Sequence, residues 1–338
     1  MDSATKLVAR ARAVVAGGDA ADDGARDRSY RLHVGEHVPD GIRRIARGQL
    51  VDGHEELAGA PGRKLGEAVH ETRKRLKRLR ALVRLSRDAI GDDAYERENT
   101  AFRMAGRRLS GARDAQVLLE TLDAVRERFA DELPERATAD LRAHLRDEHE
   151  RAQEQLREHE TDTTAVLGTL TDAVARTPAW TFGDDADFAA LSPGLRRIYA
   201  RGRKRMRAAR HDPSPENLHE WRKRVKDLWH ATQIVREARP KQLKRLSKRA
   251  HALADVLGDG HDLHVLREYV CVHPQCFASE TDRQALLAVV DRRATALCQK
   301  ALKRGRALYE DSPKRFARKL ERGWRKRAAG ERPKPVAG

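Results

Sequence analysis

Val69-His70-Glu71-Thr72-Arg73-Lys74-Arg75-Leu76-Lys77-Arg78-Leu79-Arg80 is the stretch whose reading decides the fold. Its core returns 149 positions later as His219-Glu220-Trp221-Arg222-Lys223-Arg224-Val225-Lys226. Both copies are built from good helix formers, and apolar residues recur at helical spacing. At about 100° per residue, Val69, Leu76, Leu79 and Val83 make an apolar stripe. His70, Arg73, Lys74, Lys77 and Arg84 make a cationic stripe beside it. In the second copy Leu218, Trp221, Val225 and Leu228 form the apolar stripe, and His219, Arg222, Lys223 and Lys226 the cationic one. Each helix can therefore pack through one face and present a row of positive charge on the next.

The repetition extends outward in both directions. Gly41-Ile42-Arg43-Arg44-Ile45 returns as Gly194-Leu195-Arg196-Arg197-Ile198. Leu109-Ser110-Gly111-Ala112-Arg113-Asp114 returns as Leu257-Gly258-Asp259-Gly260-His261-Asp262. Three blocks in the same order point to an internal duplication and to two similar helical bundles. The first helix of each half adds cations. Arg43, Arg44 and Arg47 alternate with Ile42, Ile45 and Leu50; Arg196, Arg197, Arg203, Lys204 and Arg207 alternate with Leu195, Ile198 and Met206.

Pro and Gly punctuate the chain. They predict helices near 39–58, 64–90, 93–110, 112–131, 135–160, 164–176, 194–210, 215–238, 241–257, 262–271 and 279–309, with a basic tail from Ser312. Ser214-Pro215 and Ser312-Pro313 read as an N-cap followed by Pro at the first helical position. No alternating strand pattern appears, so the fold class is all-α. The expected organisation is a mobile arm over 1–35, a first bundle over 36–176, a linker over 177–193, a second bundle over 194–325 and a basic tail over 326–338.

Charge sets the class of partner. The 338 residues hold 69 Lys and Arg against 52 Asp and Glu, a net of +17. Aromatics are only 4%, which argues against base-stacking platforms. The excess is also segregated, because 70–87 contains Glu71 as its only acid while 120–135 and 141–160 are acid-rich. Evenly spaced Arg and Lys suit repeated phosphates, Arg as a planar bidentate donor and Lys as a point charge. A histidine in such a row donates from one ring nitrogen when neutral and from two when charged. The pair His70 and His219 is thus expected to matter more near pH 6 than near pH 8.

Other classes find less support. The longest stretch without a charged residue, Tyr269 to Ser279, is far short of a membrane span of about 20 residues. Met1-Asp2-Ser3 does not open a secretory leader, and three cysteines without framework spacing fit a reducing cytoplasm. Cys271, His273 and Cys276 lack the paired spacing of a structural zinc site, so inert, buried cysteines are expected and no metal site is assigned. No P-loop pattern is present, and neither catalytic residues nor a cofactor are assigned. Asp262 beside His261 and His264 reads as a helix start.

The block from Val69 to Arg80, its second copy, and Leu109…Arg113-Asp114…Val117-Leu118 resemble the CHAD domain, a conserved-histidine α-helical domain. The resemblance covers about residues 36–325. It implies two four-helix bundles related by pseudo-two-fold symmetry, with basic helices lining a central channel that binds inorganic polyphosphate. It also implies association with polyphosphate granules in the cytoplasm. His70, Arg73, Lys74 and Lys77, with His219, Arg222, Lys223 and Lys226, would line that channel. Arg43, Arg44, Arg196 and Arg197 would support them. Arg78 belongs to the first copy, whereas Asp227 replaces it in the second and Trp229 replaces Arg80. Arg113 serves equally well as a ligand contact or as a local partner of Asp114. Some members are fused to a CYTH triphosphatase domain; no alternating Glu-x-Glu-x-Lys strand of that kind is read in these residues, so that activity is not expected to transfer. Non-catalytic polyphosphate binding is the leading expectation. A nucleic-acid-binding protein is the alternative, with duplex binding expected to be non-specific at most, and a polyphosphate-processing enzyme comes third.

Overall fold

The computed structural model describes residues 27–59, 65–109, 111–158, 160–183 and 187–331. Among these residues there is no strand, and the architecture is all-helical. The main elements are α1 (Val38–Ala58), α2 (Leu65–Leu85), α3 (Asp92–Arg108), α4 (Gly111–Arg128), α5 (Ala139–Glu158) and α6 (Glu160–Arg176). They continue with α7 (Ser192–His211), α8 (Pro215–Ile234), α9 (Pro240–Val272), α10 (Glu280–Leu308) and α11 (Pro313–Glu331).

The apolar stripes read from the sequence are the core. Val69, Leu76, Leu79 and Val83 are buried, as are Trp221, Val225 and Leu228. Ile42, Ile45 and Leu50 line the inside of α1, and Leu195, Ile198 and Met206 that of α7. In the first half α1 packs on α2 and α6, and α3 packs on both α2 and α6. In the second half α7, α8, α9 and α10 pack in sequence, each on the next. The α4–α5 hairpin does not stay with the first group. It crosses over, with α4 against α9 and the turn Glu135–Thr138 against α10. The halves are therefore interlocked rather than beads on a string.

Several boundaries differ from the sequence reading for identifiable reasons. The expected helix 64–90 breaks at buried Ser86, whose hydroxyl donates back to the Leu82 carbonyl at 2.9 Å. A single turn, Arg87–Ile90, follows and ends at Gly91 with φ 81°. The expected break at 257–262 does not occur, since α9 runs unbroken from Pro240 to Val272. Its glycines serve close packing instead. A Cβ on Gly258 would lie 3.0 Å from Nη2 of Arg222, and one on Gly260 would touch Leu297. The helix expected to reach 238 ends at Ile234, because a short turn leads into Pro240 and forces Arg239 out of helical geometry.

The flanking segments are also more ordered than expected. Residues 1–26 of the predicted arm lie outside the described residues, but 27–37 are pinned. The Leu32 side chain is fully buried and its amide donates to the Ile234 carbonyl at 2.8 Å. Arg28 pairs with Asp52 and Glu55 on α1. The expected linker 177–193 buries Trp180, Phe188 and Leu191, and Phe188 stacks on Trp324 at 4.8 Å. Of the expected tail, residues 313–331 form helix α11, capped by the Ser312 hydroxyl, which accepts from the Arg315 amide, and 332–338 lie outside the described residues. Ser214 caps α8 through the Asn217 amide in the same way.

Candidate functional site

Helices α2 and α8 meet, and with α3 they enclose a cleft of about 590 Å³. Ten basic side chains line it: Arg73, Lys77, Arg80 and Arg84 from α2; Arg103 and Arg107 from α3; Arg222, Lys223, Arg224 and Lys226 from α8. His219 and His230 stand among them, and Glu220 and Asp227 are its acidic members. Both acids are engaged. Glu220 accepts from Lys223 at 2.6 Å. Asp227 is buried and bridges Arg84 of the first half, at 2.8 Å, and Arg224 of its own helix, at 2.9 Å.

The structure thus brings together Arg73, Lys77, Arg84, His219, Arg222, Lys223 and Lys226 of the predicted set. The others lie elsewhere. Lys74 and His70 are exposed on α2 but are not among the lining residues, and Lys74 pairs with Glu71. Arg78 donates to Gln49 and lies over the Tyr30 ring. Arg43 is held by Asp40, the Trp180 carbonyl and the Phe182 ring. Arg44 is held by Glu36 and Asp27, and Arg47 is half-buried on the same helix. On α7, Arg197 pairs with Asp88 and donates to the Arg84 carbonyl. Arg203 donates to the Asp311 carbonyl, while Arg196, Lys204 and Arg207 face solvent away from the cleft lining. Arg43, Arg44, Arg197 and Arg203 therefore brace the fold. The Arg113 side chain lies outside the described residues.

Arg80, Arg103, Arg107, Arg224 and His230 are cleft residues that the sequence reading passed over. For α2 the signal was present. Arg73, Lys77, Arg80 and Arg84 fall within about 60° of one another on a helical wheel, whereas Lys74 sits about 90° from their centre. The expected stripe included His70 and Lys74, which lie on the edge of that face turned away from Arg80. Arg103 and Arg107, four residues apart on α3, carried a signal only for a reader looking outside the repeated blocks.

The electrostatics are those of a site short of negative charge. Burial, then Arg222, lowers the Lys226 ammonium pKa, with Asp255 and Asp262 opposing. Burial, then Arg84, brings Arg80 down to about 10, so it stays charged at neutral pH. Burial, then Lys223 and Arg222, lowers His219, whose ring lies 4.2 Å from that of His261. Burial, then His219 and Arg222, lowers His261 to about 4. Burial, then Lys226 and Arg78, lowers His230 to about 3. Burial and the surrounding cations thus hold His230 and His261 neutral near pH 6, and they push His219 in the same direction. Among the described residues, Arg222 Nε and the Nδ1 atoms of His219 and His230 are buried without a hydrogen-bond partner. Such donors and cations are what an incoming anion would satisfy.

The cysteines are not all buried, because Cys271 is exposed, Cys298 half-buried and Cys276 buried. Among the described residues no group of three His, Cys, Asp or Glu is placed to hold a metal ion. No described helix is long and apolar enough to cross a membrane. Comparison with curated proteins returns no match. A family model does match, over residues 48–270, from within α1 to near the end of α9. That span is well over half of the chain and includes both cationic helices of the cleft, and so this protein belongs to the CHAD domain family.

Proposed function

We propose that the cleft binds inorganic polyphosphate, without catalysing a reaction on it. The observation that carries this reading is ten Arg and Lys converging on one cavity with two carboxylates, both already neutralised by those cations. A linear phosphate polymer carries the charge density that relieves this repulsion. It is also thin enough to lie between helices, whereas a DNA duplex is not. Binding is electrostatic, so released counterions make affinity fall with salt. Non-catalysis is supported by the state of Glu220 and Asp227, which are ion-paired rather than available to hold Mg²⁺ or position a nucleophile. In the cell such a module would sit in the cytoplasm, on polyphosphate granules.

The test uses Lys77→Glu, Arg107→Glu and Lys223→Glu together, three exposed side chains on the cleft wall. The triple variant should bind long-chain polyphosphate at least about a hundredfold more weakly, about 3 kcal/mol, with its helical circular dichroism unchanged. Retained binding by the folded variant would refute the site. If duplex DNA competes as well as polyphosphate at about 150 mM salt, the nucleic-acid reading wins instead.

A further inference from the structure

A second cationic groove runs along α11, which follows the residues that the family model matches, and is bounded within that span by Ala238 and Arg239. It has a volume of about 720 Å³, floored by Ala238 and Gly323. The floor is tight, because a Cβ on Gly323 would lie 2.3 Å from the Ala238 carbonyl oxygen. Its rim is almost purely basic. Lys314, Arg318, Arg322 and Lys326 stand four residues apart on successive turns of α11, all four exposed. At 1.5 Å rise per residue this row has steps of about 6 Å and a length of about 18 Å. Among the described residues, none of the four is engaged in an ion pair. The acids nearby are already spoken for: Asp311 binds Lys319 and Arg315, and Glu321 binds Arg325 and Ser192. Like charges at i, i+4 destabilise a helix, so this row is a standing cost unless a polyanion lies along it.

The occupant follows from what the groove offers. The apolar face of α11 is buried through Phe316, Leu320 and Trp324, so the helix cannot lay that face into a lipid bilayer. Among the described residues that line the groove there is no aromatic ring to stack a base and no Asn or Gln to read adenine. Its evenly stepped row of Arg and Lys suits repeated phosphates best. Helix α8, which lines the cleft as far as His230, leads directly into this groove at Ala238. Eight residues of chain span less than about 30 Å. We propose that the α11 groove is a second contact site for polyphosphate, so that one long chain engages the cleft and the groove together. The proposal rests on the reading of the cleft given above. Its consequence is a chain-length preference, since a second contact on the same polymer is made at high effective concentration while a short polymer fills one site only.

The experiment uses the full chain and two probes, tripolyphosphate and long-chain polyphosphate, titrated by calorimetry at fixed salt. The groove variant carries Lys314→Gln, Arg318→Gln, Arg322→Gln and Lys326→Gln, with the charge-keeping pair Arg318→Lys and Arg322→Lys as control. The expected result is an affinity for long chains lowered about tenfold or more in the Gln variant, little change in the Lys control, and cleft binding of tripolyphosphate retained. Unchanged long-chain affinity in the folded Gln variant would overturn the proposal, while loss of long-chain binding in the cleft variant alone would leave the cleft reading intact. If instead the cleft variant binds long chains like the wild type, the cleft reading fails, and joint engagement fails with it. A Gln variant that loses duplex DNA binding but keeps polyphosphate would assign the groove to nucleic acid and also overturn the proposal.

Discussion

At the scale of single residues the cleft is held in a state that costs stability. Asp227 is the clearest case, because it is buried and carries the contact between the two cationic helices, pairing Arg84 on α2 with Arg224 on α8. Asp227→Asn removes the charge but keeps the shape. Both arginines are then left without their counter-charge in a partly buried site, which should destabilise the protein by about 2–4 kcal/mol. The same change deletes one of two carboxylates in the cleft, so polyphosphate affinity should rise severalfold. A thermal melt and a titration check the two signs, and weaker binding in the folded variant would contradict them. His230 gives a second prediction. Its pKa of about 3 lies below the ordinary 6.5, chiefly through burial and then through Lys226, Arg78, Lys77 and Arg84. Above pH 6.5 the ring is neutral folded and unfolded. As pH falls toward 3 the unfolded chain takes a proton that the folded chain refuses, so stability is lost across that window. His230→Phe keeps a ring against Trp229 and Tyr30 and should shrink the drop in melting temperature between pH 7.5 and pH 5. An equal drop in both proteins would show that this ring does not carry the pH dependence.

At the scale of elements, the repeated blocks proved to mark two different things. The His-Glu-x-Arg-Lys-Arg blocks mark the helices that supply cations to the cleft, and periodicity alone was enough to separate their buried face from their charged one. The Gly-x-Arg-Arg-Ile blocks mark packing. A Cβ on Gly41 would meet Leu32 and Glu36 at 2.6 Å, and one on Gly194 would lie 1.9 Å from the Leu85 carbonyl oxygen. Arg44 and Arg197 in these blocks point to braces, Glu36 and Asp88, rather than to the cleft. Nothing in a run of Arg beside Ile separates a bracing arginine from a ligand-binding one, because the distinction depends on which carboxylate lies across the interface. The break misplaced at Gly258 has the same origin: Gly signals a helix end from sequence, yet here it makes room for Arg222. Gly194→Ala should therefore destabilise the protein even though alanine is the better helix former. Alanine gains about 1 kcal/mol in propensity but must push α7 off the end of α2, a strain of about 1–3 kcal/mol or more. A lowered urea midpoint is the expected outcome, and a raised one would mean that the backbones separate without cost.

At the scale of the whole molecule, the net charge of +17 acts in two directions. Surface charge of one sign keeps a protein soluble but strains the compact state through self-repulsion. Here the repulsion is concentrated in the cleft, where cations of three helices converge, and along α11, where four stand about 6 Å apart in a row. Salt screens exposed charges over about 8–10 Å at physiological strength, which is the scale of these spacings. Raising NaCl should then stabilise the ligand-free protein, because it weakens repulsion that folding creates. The same screening weakens attraction for a polyanion, and added salt reduces the entropy gained by releasing counterions. If polyphosphate binds as proposed, it stabilises the folded chain by an amount that grows with the logarithm of its affinity, so its effect on the melting temperature should shrink as salt rises. The two trends have opposite signs and come from one charge distribution. Melting curves from about 50 to 500 mM NaCl, with and without long-chain polyphosphate, should therefore converge: the ligand-free curve climbs while the liganded advantage falls away. A ligand-free melting temperature that drops with salt would place the stabilising balance in surface ion pairs rather than in the relief of cleft repulsion.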